Sequence, residues 1–209
     1  MNRHALSQQS QELIHETARI LCEESRWDYR SAKLKAVQRL GLSARAALPE
    51  NARIQTAVIE YQRLYGGNAY RERLQQCREA AVQALLLLAE FKPRLTGAVV
   101  SGAITHGHRV QLHGFADMPE ALDFFLQDQG IPYQQGERLY RYADGSQQTV
   151  PLSRFEAGDI GVDVAMFNPD LLHRPPLSPS DGLPMRRLDL QQARQLAGVS
   201  ARGQAQTSA

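Results

Sequence analysis

Cysteine and long apolar runs are scarce in this sequence, and each shortage excludes a class of protein. The 209 residues include only two cysteines, Cys22 and Cys77, which argues against a disulfide scaffold and for a reducing compartment. The longest apolar run, at residues 84–89, is far too short to cross a bilayer. Residues 1–16 lack the apolar core of a signal peptide. We therefore expect a cytoplasmic protein without a membrane partner.

The sequence also has little excess of either positive or negative charge. The chain has 24 Lys and Arg residues and 22 Asp and Glu residues, and its net charge of +2 is too small to predict nucleic-acid binding by itself. A hydrophobic fraction of 43% and a charged fraction of 22% are typical of a soluble globular protein. The length allows one domain with appendages or two small units, with a sizeable buried core.

Helical periodicity dominates the N-terminal part of the chain. Apolar side chains recur there every three to four positions, which predicts helices. Four helices are expected: one over residues 5–25, a second capped by Asp28, a third after Pro49 and a fourth capped by Asn68. Basic and acidic residues interleaved on the outer faces indicate solvated helix surfaces.

Strand patterns appear in the second half. Val99 and Val100 predict a short buried strand that ends at Ser101-Gly102. Residues 109–115 alternate between polar and apolar side chains, which predicts a second strand with two unlike faces.

Further signals place a helix and three more strands. Asp117 followed by Pro119 is typical of a helix start, with an acid cap and a proline in the first turn. Asp144-Gly145 between two alternating runs predicts a hairpin, and residues 160–167 predict a last strand.

This order of elements predicts an α+β fold in which a mixed sheet follows a helical region. Residues 1–67 are expected to form a helical N-terminal module, and residues 68–172 an α+β domain. Residues 173–209 are expected to form a proline-rich connector, a short helix and a frayed tail.

Residues 80–170 resemble the nucleotidyltransferase fold of the DNA polymerase β-like superfamily, and in particular its minimal nucleotidyltransferases. The signature of that family is a Gly-Ser turn followed by Asp-x-Asp on the second strand, with a third carboxylate on a later strand. Phosphoryl transfer needs these groups, because clustered carboxylates hold two divalent ions and a tight turn lets backbone amides approach the phosphates.

The resemblance implies a degenerate catalytic motif in this chain. Ser101 and Gly102 fall at the second pair of small residues in the turn, Arg109 and Gln111 fall on the two aspartates, and Asp163 falls on the third acid. Two of the three carboxylates are thus replaced, one of them by a cation. A guanidinium at this position would contact a phosphate directly, as a fixed fork of donors.

The resemblance therefore implies a nucleotidyltransferase-like protein without catalysis, which binds a nucleotide, another phosphate ligand or RNA, or contacts a protein partner. No cofactor and no metal are expected, and no catalytic residue is assigned beyond the degenerate positions. The expected ligand-binding residues are Ser101, Gly102, Arg109, Gln111, His113 and Asp163.

Two other functions stay open. One is an active nucleotidyltransferase that uses Mg²⁺ with an atypical set of Asp163, Asp117 and a histidine. The other is a helical scaffold or interaction protein that forms one half of a two-gene pair, as small members of this superfamily often do.

Two local patterns allow a functional and a structural interpretation. His106, His108 and His113 have the ligand chemistry for zinc, copper or nickel, but a loop of small residues also tolerates exposed histidines, and we favour the second interpretation. Asp163 is either an acid retained from an active site or a strand charge paired with Arg109. Both interpretations predict that Arg109 and Asp163 lie close together.

Overall fold

A computed structural model describes residues 3–24, 28–43 and 45–199, with side chains from residue 8 onward. Within these ranges the chain forms seven α-helices and a five-stranded mixed sheet, and four of the helices precede the first strand. This is the α+β class that the sequence predicts. No helix in the described part is both long and apolar enough to span a membrane. The predicted frayed tail falls mostly on residues 200–209, outside the described residues.

The elements are numbered in chain order. The helices are α1 (Arg3–Glu23), α2 (Tyr29–Arg39), α3 (Asn51–Tyr65), α4 (Gly67–Leu87), α5 (Ala98–Ser101), α6 (Ala121–Asp128) and α7 (Leu190–Ala197). The strands are β1 (Arg94–Thr96), β2 (Val110–Phe115), β3 (Tyr133–Arg141), β4 (Gln147–Ala157) and β5 (Ile160–Phe167). Single 3₁₀ turns follow α4 and β5, at Ala89–Phe91 and Pro169–Leu171.

The chain divides into two compact units, and the division falls within α4. The first unit holds the described residues up to Arg71 together with Gly102–His108 and Pro179–Gly182. The second unit holds the remainder, including the whole sheet.

The first unit is helical. Helix α1 packs against α2 and α3 through buried apolar residues such as Leu13 and Ile54. Asp28 caps α2 as predicted, because its carboxylate accepts a hydrogen bond of 2.7 Å from the backbone amide of Ser31. The predicted cap at Asn68 is wrong, since α4 already begins at Gly67 and Asn68 lies inside its first turn.

The second unit is built on the sheet, whose strand order is β1-β2-β5-β4-β3. Strands β2 and β5 run parallel, and every other neighbouring pair is antiparallel. The central strand β5 is buried along its whole length. The predicted strand over residues 109–115, the hairpin around Asp144-Gly145 and the strand at residues 160–167 are confirmed as β2, β3–β4 and β5.

The strand expected at Val99 and Val100 is wrong. Strand β1 lies earlier, and the two valines belong to the single helical turn α5. Gly97 has a positive φ of 77°, which turns the chain immediately after β1. The valines are buried as part of a turn, and an apolar pair this short does not distinguish a turn from a strand.

The helix start expected at Asp117 is also wrong. The amide of Ala121 donates to the carbonyl of Met118, so a separate turn closes before α6 begins. Glu120 takes the capping position without a side-chain hydrogen bond. The helix itself is present a few residues later, with Leu122 and Leu126 buried and its end at Asp128.

Asp123 fastens α6 to the hairpin. Its carboxylate accepts a hydrogen bond of 2.6 Å from the hydroxyl of Ser153 and another of 2.6 Å from the amide of Gln135. Ser153 is only 5% exposed, so its hydroxyl depends on this partner.

The substitution Asp123→Ala is expected to lower the free energy of unfolding by about 1–3 kcal/mol, because it leaves a buried hydroxyl without an acceptor. The control Asp128→Ala changes an exposed acid of the same helix and is expected to stay within about 0.5 kcal/mol of the parent. Urea unfolding measures both values. Equal effects would show that Asp123 has no structural role.

Candidate functional site

One face of the sheet carries part of the predicted site. Gln111 in β2 pairs with Asp163 in β5, and Asp163 pairs in turn with Arg154 in β4. Residues paired across a sheet share a face, so these three side chains project to the same side. We call this the Asp163 face.

Arg109 directly precedes β2, and its guanidinium is held by four acceptors. Its Nε donates to Asp163 Oδ1 at 2.6 Å and its Nη1 to Glu156 Oε1 at 2.6 Å. Its Nη2 donates to the carbonyls of Phe155 at 2.9 Å and Val162 at 3.3 Å. The predicted proximity of Arg109 and Asp163 is therefore confirmed.

This pairing compensates a buried charge. Asp163 is only 5% exposed, and a carboxylate at that depth requires a cation or several donors. Besides Arg109, Arg138 Nη2 lies 3.2 Å from Asp163 Oδ2. Burial of the guanidinium lowers the pKa of Arg109, but the hydrogen bonds with Glu156 and Asp163 outweigh this effect and leave the pKa above its ordinary value.

Three glycines make room for polar side chains on the Asp163 face. A Cβ on Gly161 would lie 2.1 Å from Arg109 Nη1, and a Cβ on Gly97 would lie 2.5 Å from Gln111 Oε1. A Cβ on Gly136 would lie 3.2 Å from an Nη atom of Arg154. The side-chain ends of Arg109, Gln111 and Arg154 therefore occupy the space that a side chain at each glycine would fill.

Arg109, Gln111 and Asp163 together do not fit a divalent ion. They provide one carboxylate, one amide and one guanidinium, and the guanidinium is bonded to the carboxylate. Mg²⁺ requires several oxygen ligands, and a cation at this place repels it. Elsewhere in the described residues, no three His, Cys, Asp or Glu side chains group together as metal ligands would.

Asp117 does not join Asp163. Strand β2 ends at Phe115, four residues beyond the level of Gln111 and Asp163, which corresponds to about 13 Å along the strand. Asp117 lies beyond that end and is exposed. The two acids therefore stand at different levels of the sheet.

Two further predicted residues lie in the turn after β1. Ser101 ends α5 in the second unit, where it is exposed and its hydroxyl donates to the carbonyl of Ala98. Gly102 belongs to the first unit, and its carbonyl accepts a hydrogen bond of 2.7 Å from the hydroxyl of Tyr70.

His113 lies inside the second unit and is only 1% exposed. Its Nδ1 accepts a hydrogen bond of 3.0 Å from Nε of Arg187, so this ring nitrogen carries no proton. Arg187 also donates to the carbonyls of Leu171 and Leu172, and its guanidinium lies 5.2 Å from the ring centre of Phe167. Arg187 thereby fastens the segment after β5 onto the sheet.

These surroundings keep His113 neutral. Burial lowers its pKa well below 6.5, and the charges of Arg187 and Arg138 lower it further. Burial likewise lowers the pKa of Arg187 to about 10, although Tyr142 and Tyr140 oppose this. Within the described residues, His113 Nε2 and Arg187 Nη2 are buried without a hydrogen-bond partner.

Sequence reasoning missed Arg138, Arg154 and Arg187. The first two alternate along the hairpin like ordinary solvated charges, and their face is known only once the strand register is known. Arg187 lies in the proline-rich connector, where no periodicity marks a buried residue. Gly136 and Gly161 inside strands were the available signal, because glycine in a strand often marks a close approach.

Comparison of the chain with protein-family models, with curated proteins and with solved structures gave no match.

Replacing Gly161 with alanine is expected to lower the free energy of unfolding by about 1–3 kcal/mol, because the new methyl group displaces Arg109 from Asp163. In an Arg109→Ala background the same glycine change is expected to cost less, since the clash no longer exists. Denaturant unfolding of the four chains gives the coupling energy. Equal costs in both backgrounds would contradict the contact.

His113 is expected to make the folded state less stable in acid. The unfolded chain takes up a proton near pH 6.5 and the folded chain does not, so stability is complete above that pH and falls as the pH decreases from there. The loss approaches about 1.4 kcal/mol per pH unit for one proton.

The variant His113→Gln removes this titration, whereas His106→Gln changes an exposed histidine and is expected to retain it. Unfolding free energies between pH 7.5 and pH 5 measure the difference. Parallel pH curves for His113→Gln and the parent chain would refute the buried neutral imidazole.

Proposed function

We propose that this chain is a nucleotidyltransferase-like protein that does not catalyse transfer and that binds a phosphate-bearing small molecule, a nucleotide, on the Asp163 face. One observation carries the proposal. Arg109 lies between Asp163 and Glu156, at 2.6 Å from each carboxylate, where the resemblance implies divalent ions. A covalently attached cation thus balances the charge that metal ions balance in the transferases.

The arrangement of the strands supports the resemblance. A short strand, a turn with a glycine of positive φ and a second strand come first, and the strand with the last acid lies parallel to the second one. Gln111 and Asp163 stand side by side in that parallel pair. The family places its carboxylates on two strands in the same manner.

The loss of transfer follows from the chemistry of the replaced positions. Two-metal transfer requires ions that bridge the triphosphate and the attacking oxygen. A guanidinium has a fixed charge and donates hydrogen bonds, but it has no open coordination position and does not lower the pKa of a bound hydroxyl group as a metal does. The site is therefore suited to binding an anion and not to activating a nucleophile.

The charge of the Asp163 face supports an anionic ligand. Four guanidinium groups, those of Arg109, Arg138, Arg154 and Arg187, share this face with the carboxylates of Asp163 and Glu156. The surplus of positive charge lies beside a partly buried surface, where it is weakly screened by water.

The parent chain is expected to bind ATP or GTP with an affinity that EDTA does not change, because no metal ion takes part. No labelled product is expected from radiolabelled nucleoside triphosphates with Mg²⁺ or Mn²⁺ and RNA or protein as acceptor. Calorimetry and gel autoradiography are the two measurements. The matched control is Asp163→Asn, which keeps the shape and removes the charge.

A labelled product that the parent chain forms and Asp163→Asn does not form would establish an active transferase and overturn the proposal. Nucleotide binding that vanishes in EDTA would also overturn it.

A further inference from the structure

We propose that Arg138 and Arg154 form the subsite that contacts the phosphate of the ligand, whereas Arg109 does not touch it. This inference rests on the proposed function and assigns its ligand contacts to the β3–β4 hairpin. The ligand is a small molecule with a terminal phosphate group, and the shared chemistry is the phosphate itself.

The three arginines differ in how many of their donors are already used. Arg109 makes four hydrogen bonds inside the protein, with two carboxylates and two carbonyls. Arg138 donates one to Asp163 and is also hydrogen-bonded to the side chain of Tyr140. The side chain of Arg154 makes none to any residue that the structure describes. Free donors therefore increase from Arg109 to Arg154, and only the last two offer a fork to an incoming anion.

The strand register brings these two donors to one patch. Gly136 and Arg138 are two residues apart in β3, so both belong to the Asp163 face. The guanidinium of Arg154 reaches across from β4 and lies over Gly136, with its atoms 3.2–3.4 Å from the position of a Cβ. Because Gly136 has no side chain, the guanidinium of Arg154 can lie over β3, two residues along the strand from Arg138.

The patch formed by Arg138 and Arg154 carries more positive than negative charge. Arg109 is matched by Glu156 and shares Asp163 with Arg138, so two carboxylates face three guanidinium groups. The side chain of Arg138 is only 33% exposed, which weakens its screening by water. Two like charges on the same face of a sheet are stabilised by a doubly charged anion that lies between them.

A phosphate fits this arrangement better than other anions. Two guanidinium forks offer planar pairs of donors, and the oxygens of a terminal phosphate accept them in pairs. Asp163 takes part as a positioning residue, because its second oxygen anchors Arg138 and its first is covered by Arg109. Gln134 pairs with Arg154 in the sheet and borders the patch with a neutral amide.

The test is calorimetric titration of the full chain with ATP, pyrophosphate and inorganic phosphate. Arg138→Gln and Arg154→Gln are each expected to weaken binding about tenfold, because each removes charge-assisted hydrogen bonds, and the double variant more than either. The matched control is Arg141→Gln, which changes an exposed arginine of the same strand on the opposite face and is expected to bind as the parent chain does. Circular dichroism checks the fold of every variant.

The probes separate the sources of the phosphate. Competition of pyrophosphate with ATP, lost in the double variant, supports a subsite for the phosphate group. Equal binding of ATP by the double variant and the parent chain overturns the subsite and leaves the proposed function standing. Binding of a 5′-phosphorylated RNA without binding of ATP overturns the choice of a small molecule.

Failure of the proposed function has a different signature. A metal-dependent product that requires Asp163 would appear in the transfer assay whatever the two arginine variants do. The two failures are therefore distinguishable.

Discussion

A carboxylate lies in the middle of the central strand of the sheet, and the site depends on how its charge is balanced. Every residue of β5 is buried, and Asp163 is 5% exposed. An unpaired charge at that depth would cost several kcal/mol. Arg109 supplies the opposite charge, and its side chain reaches the carboxylate only because Gly161 leaves the space open. Without Arg109 the buried charge of Asp163 would lose its main partner, and without Asp163 the guanidinium of Arg109 would lose one of its two carboxylates.

The same sheet face has two parts with different chemistry. Around Asp163 it is polar, with guanidinium and amide groups partly exposed to solvent. Further along the strands it is apolar, where Phe115 and Phe167 belong to a buried cluster against which Leu171 and Met185 pack. Arg187 lies at the boundary between the polar and the apolar part, with its guanidinium over the rings of Phe115 and Phe167. One face therefore combines an anchored covering segment with an exposed polar surface.

The features that the sequence predicted were those coded by local pattern. Alternation located β2 and β5, and a two-residue turn signal located the hairpin. The proximity of Arg109 and Asp163 was expected from the resemblance, which places both residues at acid positions of one site. The position of β1 was missed, because a buried turn and a buried strand carry the same short apolar pattern.

The positions of the other site residues depend on the pairing of strands that are far apart in the sequence or set by the whole sheet. Arg154 joins Asp163 only through the antiparallel register of β4 with β5, and Arg138 only through that of β3 with β4. Such registers are set by the packing of the whole sheet and not by the residues near either arginine. The space that Gly136 leaves for the guanidinium of Arg154 is likewise apparent only when β3 and β4 are paired.

The most direct measurement is anomalous diffraction from crystals of the parent chain grown with Mn²⁺. The account predicts no manganese peak beside Asp163, with the guanidinium of Arg109 in contact with Asp163 and Glu156. A manganese ion bound to Asp163, with Arg109 turned away from it, would contradict the central claim that an arginine has taken the place of the metal ions.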